Sequence, residues 1–213
     1  MRARALDRSV VVEAARQCFL DLGVRDATVE EVARRAGVSR ATVYRTVGGR
    51  SDLVQEVMLA EGLTLFTNVG LAMGTATTPT DLIGDGVAAA LATIRERPVL
   101  RRFAGPDLSD VLPVITLNAA GLVAGAVNLL EPILEAARGR GLIDEGVDVR
   151  LLAEELIRYV LGLLHTPALG ADGADPSVGA ARAARLFGPA LQAAAVDLVD
   201  ITALERQAAD SHG

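Results

Sequence analysis

The sequence predicts an all-α fold, with a small three-helix N-terminal unit followed by a larger all-helical body. Three observations carry this. Apolar residues recur at steps of three and four along most of the 213-residue chain. Apolar residues make up 51% but aromatics only 3%, with no Trp, so the chain lacks the aromatic strands of a sandwich or barrel. Glycine, proline and Ser/Thr/Asp residues punctuate the apolar stretches at helical lengths.

Val11, Ala14, Cys18, Phe19 and Leu22 step along one face, which predicts a first helix from Leu6 to Leu22, closed by Gly23. Thr28-Val29-Glu30-Glu31 reads as a capping box opening a short helix that ends at Gly37. Ser39 caps a third helix from Arg40 to Val47, and Gly48-Gly49 breaks it. Ser51 is expected to cap a long fourth helix, Asp52 to Leu71. In the body, Thr80 caps a helix that Pro98 stops near Arg97, and short helices follow over Pro98–Ala104 and Asp107–Ile115. A long helix spans Leu117–Arg138 with a kink expected at Pro132. Asp148 caps an apolar helix to His165, and an Ala-rich helix begins near Gly179. The expected organisation is thus 1–50, 51–206 and a disordered tail over 207–213.

Charge divides the same way. Residues 1–55 hold ten arginines and seven acids, a balance of +3, and the remainder holds eleven arginines and twenty acids, a balance of −9. A basic head on an acidic body points to a polyanionic partner for the head alone. One cysteine forms no internal disulfide, and two histidines with it supply no zinc cluster, so no metal or other cofactor is expected. No signal-peptide pattern opens the chain, and the expected setting is cytoplasmic. The uncharged stretch 111–130 carries Pro113, Asn118 and Asn128 and is flanked by Asp110 and Glu131. It reads as a buried helix, with no membrane partner. No Ser/His/Asp, Cys/His or metal-ligand grouping can be assembled around His165 and His212, which argues against an enzyme.

The block TVEEVARRAGVSRATVYRTVGGRSDL (28–53) has the layout of a helix-turn-helix, with its turn through Ala36-Gly37-Val38-Ser39. At about 100° per residue, Val43 and Val47 fall inward. Ala41, Thr42 and Arg45 fall on the opposite side, with Arg40 and Tyr44 at its flanks. Small, hydroxyl and guanidinium side chains presented together suit a DNA major groove. Arg40 and Arg45 are the candidates for guanine, Thr42 for a phosphate or a thymine methyl, and Tyr44 for a phosphate. Thr28, Ser39 and Arg50 stand beside helix N-termini, where free N–H groups favour phosphate.

Residues 6–60 resemble the DNA-binding domain of the TetR (tetracycline-repressor-like) family of bacterial regulators. The resemblance rests on the block A-G-V-S-R-A-T-V-Y-R, the Gly-x-Arg-x-Asp-Leu tail and the long fourth helix. It implies DNA contact at Arg40, Ala41, Thr42, Tyr44, Arg45 and Arg50. Thr46-Val47 departs from the family's usual His-Phe and removes one phosphate contact. Beyond residue 60 the resemblance implies a ligand-binding body and a homodimer formed through the last two main helices.

The residues themselves point the same way. Val149, Leu152, Leu156, Ile157, Val160, Leu161, Leu163 and Leu164 surround one helix, which must be buried on two sides. With the Ala180–Ala184 stretch it suggests a self-complementary interface through Leu156, Val160, Leu163, Leu164, Ala180 and Ala184. Phe66, Phe103, Asn118, Asn128 and His165 are the candidates for an effector pocket, and Ala/Val/Leu-rich walls favour an apolar or amphipathic effector. Cys18, on the core face, is expected to be a buried, inert thiol. The expected function is a ligand-responsive, sequence-specific transcription regulator. It would be a repressor released from a palindromic double-stranded DNA operator by a small lipophilic effector. The competing reading is a helical adaptor acting through protein contacts alone.

Overall fold

The computed structural model describes the backbone of residues 2–111, 119–165 and 175–192, and the side chains of 8–111, 123–164 and 175–192. The described elements are all helical. The N-terminal unit comprises α1 (Arg2–Leu22), α2 (Val29–Ala36) and α3 (Arg40–Thr46), and α4 (Arg50–Thr75) leads out of it. The body adds α5 (Pro79–Glu96), α6 (Pro98–Phe103), α7 (Ala119–Gly139), α8 (Val149–His165), α9 (Pro176–Phe187) and a 3-10 turn, Pro189–Leu191.

Side-chain caps set the helix ends. Thr28 Oγ1 accepts from the Glu31 N–H at 3.2 Å, and Gly37, at φ +69°, closes α2. Glu31 does not complete the expected box: its carboxylate takes the Arg34 guanidinium instead (Nε at 3.1 Å). Ser39 Oγ accepts from the Thr42 N–H at 3.1 Å and opens α3.

Helix α1 begins at Arg2 and not at Leu6, and three further starts differ from expectation, each for a local reason. Helix α4 begins at Arg50 because Asp52 Oδ2 accepts from the Gly49 N–H at 2.8 Å, which makes Gly49 the N-cap and not Ser51. Helix α5 begins at Pro79, whose missing N–H costs nothing there, and Thr78 caps it in place of Thr80, accepting from the Asp81 N–H at 3.1 Å. Helix α9 begins at Pro176, with Asp175 Oδ1 on the Ser177 N–H at 2.9 Å. Asp148 does cap α8, accepting from the Leu151 N–H at 3.0 Å. Helix α7 stays helical on both sides of Pro132. Residues 112–118, with the expected end of the 107–115 helix, and the tail 207–213 lie outside the described residues.

Two apolar clusters form the core. The first packs α1, α2, α3 and the first two turns of α4 around Phe19, Val32, Val43, Leu53 and Val57. It also includes Val99 and Phe103 of α6 and Val111. The Phe103 ring meets Phe19 at a centroid distance of 6.0 Å, tilted by 58°. The head core therefore does not end at residue 50; it recruits α4 and the α6 region. The second cluster joins α4, α5, α7, α8 and α9 around Met73, Leu82, Ile83, Leu134 and Ala183.

Helix α4 runs through both clusters. Of the described helices, it alone is long and apolar enough to cross a membrane by length and composition, yet Glu61 is buried at its middle. Cys18 is wholly buried in the head, and burial pushes its thiol pKa up, which suppresses the reactive thiolate.

Candidate functional site

The outer face of α3 follows from its short sequence. Val43 is fully buried and anchors the helix, and Val47 packs half-buried against the same cluster. Arg40, Ala41, Tyr44 and Arg45 are exposed, and Thr42 is half-buried with its hydroxyl 2.9 Å from Ser39 Oγ. Arg45 has no hydrogen-bond or ion-pair partner among the described residues. Arg40 is not free. Its Nη1 lies 2.6 Å from Glu30 Oε1 on α2, and its guanidinium carbon sits 5.9 Å from the Tyr44 ring centre. Hydrogen bonding to Tyr44 and the charge of Glu30 raise its pKa. One side of α3 thus presents two guanidiniums, a phenol, a methyl and a hydroxyl on a surface held from beneath by Val43. That is the donor set for reading base edges and gripping phosphates.

Arg50 does something the sequence did not suggest. Its Nε and Nη2 donate to the Val24 carbonyl at 3.1 and 2.5 Å, tying the start of α4 to the α1–α2 loop. The Val24 N–H in turn donates to Asp107 Oδ2 at 3.2 Å. Asp107, itself buried, is held by Arg102 through Nε at 2.9 Å and Nη2 at 3.2 Å. Gly23 permits this approach: it sits at φ +84°, and a Cβ there would lie 2.8 Å from Arg102 Nη2. The loop before the reading unit is thereby pinned to both α4 and the body.

Between α4, α5, α7 and α8 lies a cavity of about 160 Å³. Leu65, Phe66 and Met73 line it from α4, Gly86 and Ile94 from α5, Ala126 from α7, and Leu156 and Val160 from α8. Among the described residues every lining side chain is apolar. The cavity's volume and apolar wall suit a benzene-sized hydrocarbon. Gly86 keeps it open beside Met73, since a Cβ there would lie 2.9 Å from the Met73 Cγ and Sδ atoms.

The pocket candidates fare unequally. Phe66 is in the wall. Phe103 is not: it packs on Phe19 in the head core. Asn128 is exposed on α7, its Oδ1 accepting from Arg150 Nη1 at 3.3 Å, because its face of the helix turns to solvent. Asn118 and the His165 side chain lie outside the described residues.

The expected interface residues turn inward as well. Leu156, Val160 and Leu164 line the cavity. Ala180 and Ala184 are buried against the second cluster, with Ala184 facing Gly84 of α5. Leu163 abuts Gly179 of the same chain. Helix α8 is apolar on two sides because it walls the cavity on one and meets α9 on the other, where Tyr159 Oη donates to the Gly179 carbonyl at 3.1 Å, and its third side carries Arg150, Glu154, Glu155 and Arg158. What α8 and α9 turn outward is mixed: Leu151 and Gly162 stand among Arg150, Glu155 and Arg158, and Ala181 and Leu186 among Ser177, Arg182 and Arg185.

Residues 11–57 match the family model described as bacterial regulatory proteins of the tetR family. The transcriptional regulator AlkX of Mycobacterium tuberculosis is 29% identical over 195 residues, covering 88% of this chain and 86% of that protein. Residues 11–57 thus carry a tetR-type DNA-binding domain, and the full-length likeness supports a TetR-family regulator. The TetR-family repressor AlkX from a Dietzia strain shares its fold with a TM-score of 0.70 at 25% identity, covering 87% of this chain and 95% of that one. A TetR-family regulator from Pectobacterium atrosepticum superposes with a TM-score of 0.67 at 19% identity, covering 90% and 97%. The matched domain and the Mycobacterium relative support a DNA-binding transcription regulator. The exposed face of α3 belongs to its matched DNA-binding segment. Among the described residues no group of three or more His, Cys, Asp and Glu could hold a metal ion.

Proposed function

We propose that this regulator is a homodimeric repressor that leaves a palindromic operator when a neutral, lipophilic effector enters the α4–α5–α7–α8 cavity. The observation that carries the effector class is the cavity wall, which among the described residues offers no charge or hydrogen-bonding side chain. A charged metabolite would leave its ionic group unpaired there, at a cost of several kcal/mol. The Dietzia relative, described as implicated in biodegradation of n-alkanes, supports a hydrocarbon or alkyl-chain effector.

In this reading the head and its DNA contacts fall within residues 1–50, and effector binding and dimerisation within 51–206. Arg45 and Arg40 take base edges, Ala41 and Thr42 lie against the groove, and Thr28, Ser39 and Tyr44 take phosphates. Arg50 serves the site by holding the loop at Val24. The dimer forms through the outward faces of α8 and α9, with Leu151, Ala181 and Leu186 at its centre. Two-fold symmetry then sets two α3 helices about one duplex turn, or a multiple, apart.

Calorimetry and thermal shift with benzene, n-hexane and hexanoate test the effector class. The hydrocarbons are expected to raise the melting temperature and to release the operator. Binding of hexanoate alone would overturn the lipophilic, uncharged class.

A further inference from the structure

Close in sequence to two cavity-lining residues stands a buried carboxylate held by two half-buried arginines. Glu61 of α4 is almost wholly buried. Its Oε1 accepts from Arg16 Nε at 3.0 Å, and its Oε2 takes Arg97 Nε. Arg16 stands on α1, beside head-core residues Ala15, Cys18 and Phe19. Arg97 is the junction residue between α5 and α6. One turn beyond Glu61 on α4 is Leu65, and three residues before Arg97 on α5 is Ile94; both line the cavity.

We propose that Glu61, held between Arg16 and Arg97, is the relay through which occupancy of the cavity reaches the DNA-reading head. The proposal rests on the cavity being the effector site. An occupant at the headward end presses on Leu65 and Ile94 and drives α4 from α5. Apolar side chains slide past one another at small cost, whereas a buried carboxylate cannot leave a guanidinium without an unpaired charge. The three helices therefore stay joined at Glu61 while α4 and α5 part at the cavity. The displacement of α4 against α5 is passed to α1 through Arg16, and the head is re-aimed. Helix α4 alone would transmit only its own tilt. The cluster adds a second, charged connection from the junction Arg97 to the head.

A double-mutant cycle in the full-length protein tests this, with dissociation constants measured on the duplex the protein selects from random DNA. Ala126→Leu puts a permanent apolar occupant in the cavity. In the wild-type background it is expected to weaken operator binding about tenfold, within the usual range of allosteric coupling. In Glu61→Gln, or in Arg97→Gln should the first variant fail to fold, the loss is expected to fall below about twofold. Ile143→Ala loosens the body core far from the cluster and should keep the full loss, which separates a relay from general softening. Equal losses in the wild-type, Glu61 and Arg97 backgrounds would overturn the relay, as would no loss in any background. Benzene binding reports separately on the cavity. If benzene stabilises neither wild type nor Ala126→Leu, the effector-site reading fails, whatever the cycle shows.

Discussion

Arg50 was expected on a phosphate and is found on a carbonyl, and the two placements predict different mutants. In Arg50→Ala, the Val24 carbonyl loses both donors, at 3.1 and 2.5 Å, in a loop residue that is only 1% exposed. A buried acceptor stripped of charged donors costs about 1–3 kcal/mol. With a head loop this tightly packed, about 2 kcal/mol is expected. For a chain of this length that is ~4–8 °C of melting temperature. Arg45→Ala removes an unpaired, exposed side chain and should change stability by less than about 0.5 kcal/mol. Urea denaturation of both variants, alongside titrations of operator and random duplex at two salt concentrations, separates the cases. Arg50→Ala is expected to lose stability, with DNA binding weakened through a loosened head. Were Arg50→Ala as stable as wild type while its salt slope fell by about one unit, Arg50 would be a simple phosphate contact and the loop-clamp argument would be wrong.

Other consequences follow from the same geometry. Asp107→Ala strips the partner from the Val24 N–H and from half-buried Arg102, and should destabilise the head by about 2 kcal/mol in urea denaturation. Burial alone would raise the Glu61 pKa, but hydrogen bonds from Arg97 and Arg16 and their charges outweigh it and hold it below the usual carboxylate range. Its contribution to stability is therefore complete above about pH 4.3 and is lost as pH falls through the lowered folded value. Glu61→Gln should flatten the acid limb of the stability profile, and an unchanged limb would contradict that assignment. Leu186→Glu, at a side chain 65% exposed on α9, should leave the monomer folded and shift sedimentation toward the monomer.

The local half of this fold was legible in the sequence. Thr28, Gly37, Ser39 and Asp148 act at the helix ends they marked, because caps are settled by residues three or four apart. Where two caps compete, the helix starts a few residues from the expected position. Asp52 reaching back to Gly49 and Thr78 preceding Pro79 each won over a nearby hydroxyl.

Long-range choices were not legible. Nothing in the residues around Phe103 says that it packs on Phe19 and not in the body. The Ala180–Ala184 pattern permits close packing on any helix, and α5 took it. Glu61 reads as an ordinary solvated acid until Arg16 and Arg97 arrive from 45 and 36 residues away. The outward face of α3 was accessible to reasoning because one buried Val43 fixes its rotation. The polar fastenings of that face, Glu30 on Arg40 and Val24 between Arg50 and Asp107, depend on tertiary distances that no spacing encodes.

The most direct measurement of the central claim is selection of bound duplexes from random DNA by wild type and Arg45→Ala, followed by hydroxyl-radical footprinting of the winning site. The account predicts an inverted repeat protected on one face. It also predicts that guanine preference relaxes at one symmetric pair of positions in the variant, with about 1–3 kcal/mol of discrimination lost there. An unsymmetric site, or a variant that selects the wild-type sequence unchanged, would contradict it.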